Sequence, residues 1–242
     1  MFHAPPPGRR SAFSKKLMLF VMGAALVSGT ANATTLSPRL GGQAVYDADL
    51  DLLWLANANL ADSNTFGVAG IGAQNPGTMD WTTANTWIAA MNVGNYLGFN
   101  NWRLQTTTNT GCSDQNFNGV PGQGGGFNCT GSEMGHLFYT ELGGTAGSPL
   151  VGSQGPFTNI QAPGPYWSGT PNTGNLVWDF LFDNPSNHSQ AGSQDLDGHT
   201  RLESAWAVRT GDVAAVPEPA SLLLCGIGAL RLALSRRSRR RR

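Results

Sequence analysis

Between residues 34 and 216 the chain has no lysine and only four arginines, Arg39, Arg103, Arg201 and Arg209, against 14 of the protein's 15 acidic residues. Whatever folds there must place a formal charge of −10 with almost no cations to offset it. The other 11 basic residues lie at the two ends, so the neutral sum over 242 residues averages three differently charged pieces. A segment this acidic lacks the basic stripe that neutralises phosphates, which argues against nucleic-acid binding. Charged residues make up only 12% of the chain while glycines number 32, a balance suited to a loop-rich domain. Seven Trp and 11 Phe argue against disorder, because so much aromatic surface drives burial. About 180 residues suffice for one domain with a sizeable core.

The ends read as addresses. Lys15 and Lys16 precede an apolar run from Leu17 to Val27, and Ala31-Asn32-Ala33 supplies the small-x-small pattern that signal peptidase accepts. Residues 1–33 are therefore expected to be a secretory signal. Arg9-Arg10 lacks the spacing of a twin-arginine signal, so general secretion is expected. At the other end, residues 216–242 contain Pro217-Glu218-Pro219, an apolar stretch from Leu222 to Leu234 interrupted by Arg231, and seven arginines from Arg231 to Arg242. The arginine cluster does not cross a bilayer and binds an anionic cytoplasmic leaflet, which fixes this end inside. The apolar stretch is shorter than the roughly 20 residues of a stable span, so the anchor is expected to be transient.

This tail resembles the PEP-CTERM sorting signal of Gram-negative bacteria in all three of its parts. The resemblance implies cleavage near Pro-Glu-Pro by an exosortase, and placement at the cell surface or in the extracellular matrix after transient anchoring in the inner membrane.

Residues 34–215 are expected to form a single α+β domain. Strands are predicted over 43–47, 51–57, 166–170, 176–182 and 204–209, from apolar alternation bounded by turn residues. Asp80 is placed to cap a helix with Trp81, Ala84, Ile88 and Met91 on one face, and Gly94 follows its end. A second helix is predicted from Ser132, with Glu133 in its first turn, a stripe of Met134, Leu137, Phe138 and Leu142, and Gly143-Gly144 as the stop. Residues 111–127 and 184–199 read as long loops of the kind that carry binding surfaces.

Five segments occur in order: Met79-Asp80-Trp81-Thr82-Thr83-Ala84, Asn101-Trp102-Arg103-Leu104, Ser132-Glu133-Met134-Gly135-His136-Leu137-Phe138, Tyr166-Trp167-Ser168-Gly169-Thr170 and Ala205-Trp206-Ala207-Val208-Arg209. Together they resemble the Lcl C-terminal domain family, over roughly Val45 to Val213. Gln105 stands where that family's Trp-Arg-Leu motif continues with proline. The resemblance implies a C-type-lectin-like fold, also similar to the formylglycine-generating group, with first and last strands paired and long loops as the binding surface.

Chemistry-bearing residues are sparse. Cys112 and Cys129 form an even pair in the exported part, and in an oxidising compartment a disulfide is expected. A catalytic cysteine pair, as in the formylglycine-generating relatives, lacks a neighbouring base. Asp114, Asn116 and Asn118 before Gly119 reproduce the first half of a calcium loop, but Gly125 stands where its closing glutamate belongs. Asp195-Leu196-Asp197-Gly198 is a shorter fragment of the same kind. An Asx-rich turn explains both, and calcium is the minority alternative. Glu133 and His136 sit three apart on one helix, without a recognisable third ligand.

Arg103 and Arg209 are expected to pair with buried acids. Alternatively, Trp102, Arg103, Tyr166 and Trp167 line a carbohydrate groove, although core packing is the simpler role for the tryptophans. Glu133, Glu141 and Glu203 are the segment's only glutamates, and none is recognisably paired along the chain. Without nucleophile or metalloprotease motifs, an enzyme is not expected. A non-enzymatic surface or matrix protein that binds or organises exopolysaccharide is, with a ligand-free structural component or a calcium-dependent adhesin as alternatives. Isoelectric focusing of the processed protein is expected to place it below about pH 5.

Overall fold

A computed structural model describes residues 35–108, 110, 112–113, 125–150, 154–161, 164–182 and 190–213, together with Met1. The chain divides into units Met1–Ala33 and Thr34–Arg242, and the folded elements all belong to the second. The proposed signal, the Pro217-Glu218-Pro219 tail and the Asp114, Asn116 and Asn118 turn lie outside the described residues. Among the described residues no helix is long and apolar enough to cross a membrane.

Two antiparallel sheets carry the fold. Strands β1 (Leu36–Arg39), β2 (Ala44–Asp47), β3 (Leu52–Leu55), β4 (Arg103–Leu104) and β8 (Ala207–Thr210) form the first, in the order β1-β2-β3-β8-β4. Strands β5 (Pro165–Pro171), β6 (Leu176–Leu181) and β7 (Ser193–Gly198) form the second, in that order. The architecture is thus α+β, with few helices. The last strand pairs with β3 and β4 rather than with the first, because β1 folds back on β2 as the edge of the sheet. Pro38 on β1 suits an edge, where a missing N–H breaks no inner ladder.

After the single turn α1 (Leu60–Ser63), helix α2 (Trp81–Val93) starts as its sequence predicts: the Asp80 carboxylate accepts a hydrogen bond from Thr83 N at 2.7 Å. Its buried stripe is Ala84, Trp87, Ile88 and Met91. Trp81 stays half-buried and donates its indole N–H to Ser168 O. Helix α3 (Glu133–His136) departs from expectation. Ser132 does not cap it; its hydroxyl donates to Thr108 O at 2.8 Å and accepts from Thr108 N, which ties the helix start to the chain after β4. Beyond His136 the backbone widens into a π-helical turn, Leu137–Glu141, closed by a Leu142 N to Leu137 O bond of 3.0 Å. Gly144 ends the segment under Phe138, whose ring would lie 2.3 Å from an added Cβ.

The core centres on Trp206, whose ring lies 5.3 Å from Trp54, 5.0 Å from Phe157 and 5.5 Å from Tyr166. These are edge or tilted contacts, which aromatic quadrupoles favour. The Trp206 indole N–H donates to Leu55 O at 2.8 Å and the Trp167 indole N–H to Met79 O at 2.8 Å, so burial strands neither donor. Phe138 extends the cluster to Phe180 on β6 and to Phe182 just beyond its end.

Candidate functional site

On β6, Trp178 and Phe180 share one face and Asp179 takes the other, as alternation predicts. That other face is not open to solvent. Asp179 is 2% exposed, and the register sets it directly opposite Asp195, with Val177 opposite Asp197. Cβ atoms of directly opposed residues stand about 5 Å apart, where like charges repel. Glu203 joins them because Met79 and Glu203 form a two-bond bridge, Met79 N to Glu203 O at 2.8 Å and Glu203 N to Met79 O at 3.0 Å. One ligand atom from each of Asp179, Asp197 and Glu203 lies within 4.8 Å of the others. Arg201 leans over the group, 3.0 Å from Asp197 Oδ1 and 3.9 Å from Glu203 Oε1. A cavity of about 180 Å³ opens here, lined by Asp179, Asp195, Asp197, Gln190, Ser193 and Arg201.

The electrostatics follow from burial. No donor reaches Asp179 Oδ2 or either Glu203 oxygen, so as carboxylates they would be desolvated without compensation. Burial, then the Asp179 and Asp197 charges, push Glu203 up to about 11, and once protonated it donates to Asp197. Burial and the Asp195 and Asp197 charges likewise hold Asp179 well above the usual carboxylate range. Arg201 opposes both shifts only weakly, since its side chain is 62% exposed and solvated. At neutral pH the group is a set of shared protons, and a hard cation such as calcium would have to displace them.

A second convergence has a different donor set. Asp47 at the end of β2, His136 at the end of α3 and Glu141 at the end of the π turn bring one ligand atom each within 4.8 Å of one another. His136 Nε2 lies 3.4 Å from Glu141 Oε1 and 4.0 Å from Asp49 Oδ2.

The residues singled out in the sequence are distributed as follows. Cys112 and Cys129 form a disulfide, which closes the loop and returns Gly126 to pair with Gln194 on β7. Trp102, Tyr166 and Trp167 are buried core residues, at most 2% exposed, so their rings present no face for a sugar to stack on. The four-residue groove is accordingly not formed by these side chains, and core packing accounts for all three. Arg103 pairs with Glu133 through two bonds of 2.7 and 2.8 Å, and Glu133 Oε2 also accepts from Thr106 N. Arg209 makes no ion pair among the described residues, although the Asp51 and Asp212 charges act on it; it donates to Asn101 Oδ1 and Gly211 O and stacks 4.2 Å over Phe99. The three glutamates are not isolated, in correction of the reading along the chain: each meets a partner brought from another element or turn.

Residues 184–199 contain strand β7, where the sequence suggested loop throughout. Ser193-Gln194-Asp195-Leu196-Asp197-Gly198 has weak strand propensity, and six cross-strand pairs with β6 impose the conformation. The acidic group was therefore missed, because Asp195-Leu196-Asp197 reads as half a turn. Its legible signal was Asp-x-Asp alternation near a Trp-Asp-Phe strand. Comparison with protein-family models, curated proteins and solved structures gave no match.

Proposed function

We propose that the chain is an exported, non-enzymatic surface or matrix protein of a Gram-negative bacterium, cleaved by signal peptidase and exosortase, whose acidic domain binds or organises exopolysaccharide. The observation that carries this reading is the tail: Pro217-Glu218-Pro219, a short apolar stretch and an arginine cluster in sequence. Simple anchoring needs the last two parts and has no use for the first. An interior stapled by the Cys112–Cys129 disulfide suits an oxidising compartment. The rim formed by Arg201, Asp195 and Asp197 offers the charged hydrogen-bonding groups that sugar hydroxyls take. Asp179 lines the cavity but Glu203, 1% exposed, does not, so the two do not flank a space open to a glycosidic bond, which supports binding over hydrolysis.

The address and the ligand are tested separately. Replacing Pro217 and Pro219 with Ala is expected to leave an uncleaved protein in the inner membrane; normal processing and export would overturn the sorting assignment. The purified full chain on a glycan array, with and without calcium, is expected to bind neutral, hydroxyl-rich polysaccharide, and Arg201→Ala to weaken it. Binding to no glycan would favour a structural matrix component that acts through protein surfaces.

A further inference from the structure

We propose that Asp47 Oδ2, His136 Nε2 and Glu141 Oε1 form a binding site for a divalent transition ion of the zinc class. Each of these three atoms is buried without a hydrogen-bond partner, and each belongs to a different turn of the chain. Asp47 is 0% exposed and the Glu141 side chain 3%, so both carboxylates point their free oxygens inward rather than to water. An unpaired buried polar atom costs free energy, and two oxygens and a nitrogen of this kind converging on one place ask for a shared partner.

The spacing fits such an ion. Tetrahedral zinc holds nitrogen and oxygen ligands at about 2.0–2.2 Å, which sets neighbouring ligand atoms about 3.3–3.5 Å apart. His136 Nε2 and Glu141 Oε1 are separated by 3.4 Å, and no hydrogen bond forms between them. The π turn makes this possible. In an α-helix residues five apart are rotated by about 140° around the axis, whereas the widened turn from Leu137 to Glu141 swings Glu141 back under His136.

The other oxygens are already engaged, which orients the free ones. Asp47 Oδ1 accepts from Asp49 N at 3.1 Å and Leu50 N at 3.2 Å, and Glu141 Oε2 accepts from the Thr35 hydroxyl. Such supporting bonds are what hold ligands to a metal in one geometry. The half-exposed Asp49 carboxylate, 4.0 Å from His136 Nε2, stands at the rim and leaves the fourth position to itself or to water. Two carboxylates and a neutral imidazole around a divalent ion leave no net charge buried. An imidazole in the donor set selects transition ions over calcium or magnesium.

The test uses the full-length chain without a histidine tag, stripped with a chelator. Zinc is titrated against a chromophoric chelator, and cobalt is added to read its visible ligand-field absorption. One ion per chain is expected, with a melting temperature raised by about 5–10 °C at zinc 100-fold above its Kd. His136→Gln and Glu141→Gln are expected to weaken binding roughly 100-fold or more, and Asp197→Asn to leave it unchanged. No zinc uptake, no cobalt spectrum, wild-type affinity in His136→Gln, or loss of binding in Asp197→Asn would each overturn the site. Should Glu141→Gln fail to fold, His136→Gln decides alone, since the histidine is partly exposed and its loss opens no core.

Discussion

Asp179, Asp197 and Glu203 on one side, and Asp47, His136 and Glu141 on the other, both gather acids inside a domain that has few cations to spare. In the first group every donor atom is a carboxyl oxygen, the nearby cation among the described residues is a solvated arginine, and burial holds Asp179 and Glu203 protonated. In the second an imidazole replaces one carboxyl. Asp47 is raised by burial, and by the Glu141 charge, although the Leu50 and Asp49 N–H groups and His136 oppose part of that rise. An all-carboxyl group disposes of its charge by taking protons, whereas the mixed group includes an imidazole nitrogen of the kind that transition ions select. Formal charge therefore overstates how acidic the folded domain is at neutral pH.

The largest effect that separates the groups is the response to pH. The Glu203 carboxyl is raised from 4.5 to about 11 on folding, so the stability it contributes is fully present below the unfolded value and drains away as pH rises toward the folded one. Each pH unit in that window costs about 1.4 kcal/mol per group, hence about 4 kcal/mol between pH 5 and pH 8. Urea unfolding across this range is expected to show that loss, and Glu203→Gln, which mimics the protonated acid, to flatten it. Parallel pH profiles for both proteins would break the comparison.

Next in size is a contrast between two glutamates. Glu133 has its donors, two from Arg103 and one from Thr106 N, so Glu133→Gln is expected to cost about 2 kcal/mol by leaving a half-buried guanidinium underpaired. The same substitution at Glu203 is expected to stabilise at pH 8. Denaturant midpoints of the two variants read the opposite signs directly.

Arg201 gives the smallest effect and the sharpest discrimination. Its side chain is 62% exposed, so with the acids protonated Arg201→Ala is expected to cost under about 1 kcal/mol at pH 8. If the acids were ionised, removing the Arg201 guanidinium beside them would cost several times more.

Much of this fold could be read from the chain, for reasons that are local. Asp80 caps α2 because an aspartate before an apolar stripe can reach the third helical N–H, and the β2, β3, β5 and β6 strands follow their apolar alternation. What escaped depends on pairing partners remote in sequence. β7 is a strand because β6 needs a neighbour, although Ser193 to Gly198 favours turn. Glu203 is brought to Asp179 by bridges remote in sequence, Met79 with Glu203 and Tyr166 with Ser204. His136 and Glu141 share a side only because the helix relaxes into a π turn, and a heptad reading places them apart. For Trp102, Tyr166 and Trp167 a groove stood as the alternative to the simpler core role, and the packing of the sheets buries all three.

The side-chain carboxyl carbon of Glu203, followed by NMR from pH 5 to pH 9 in the folded protein, tests the central distinction most directly. The account predicts a protonated carboxyl signal that does not move across that range. A titration with its midpoint near pH 4 to 5, as for a solvated glutamate, would contradict it.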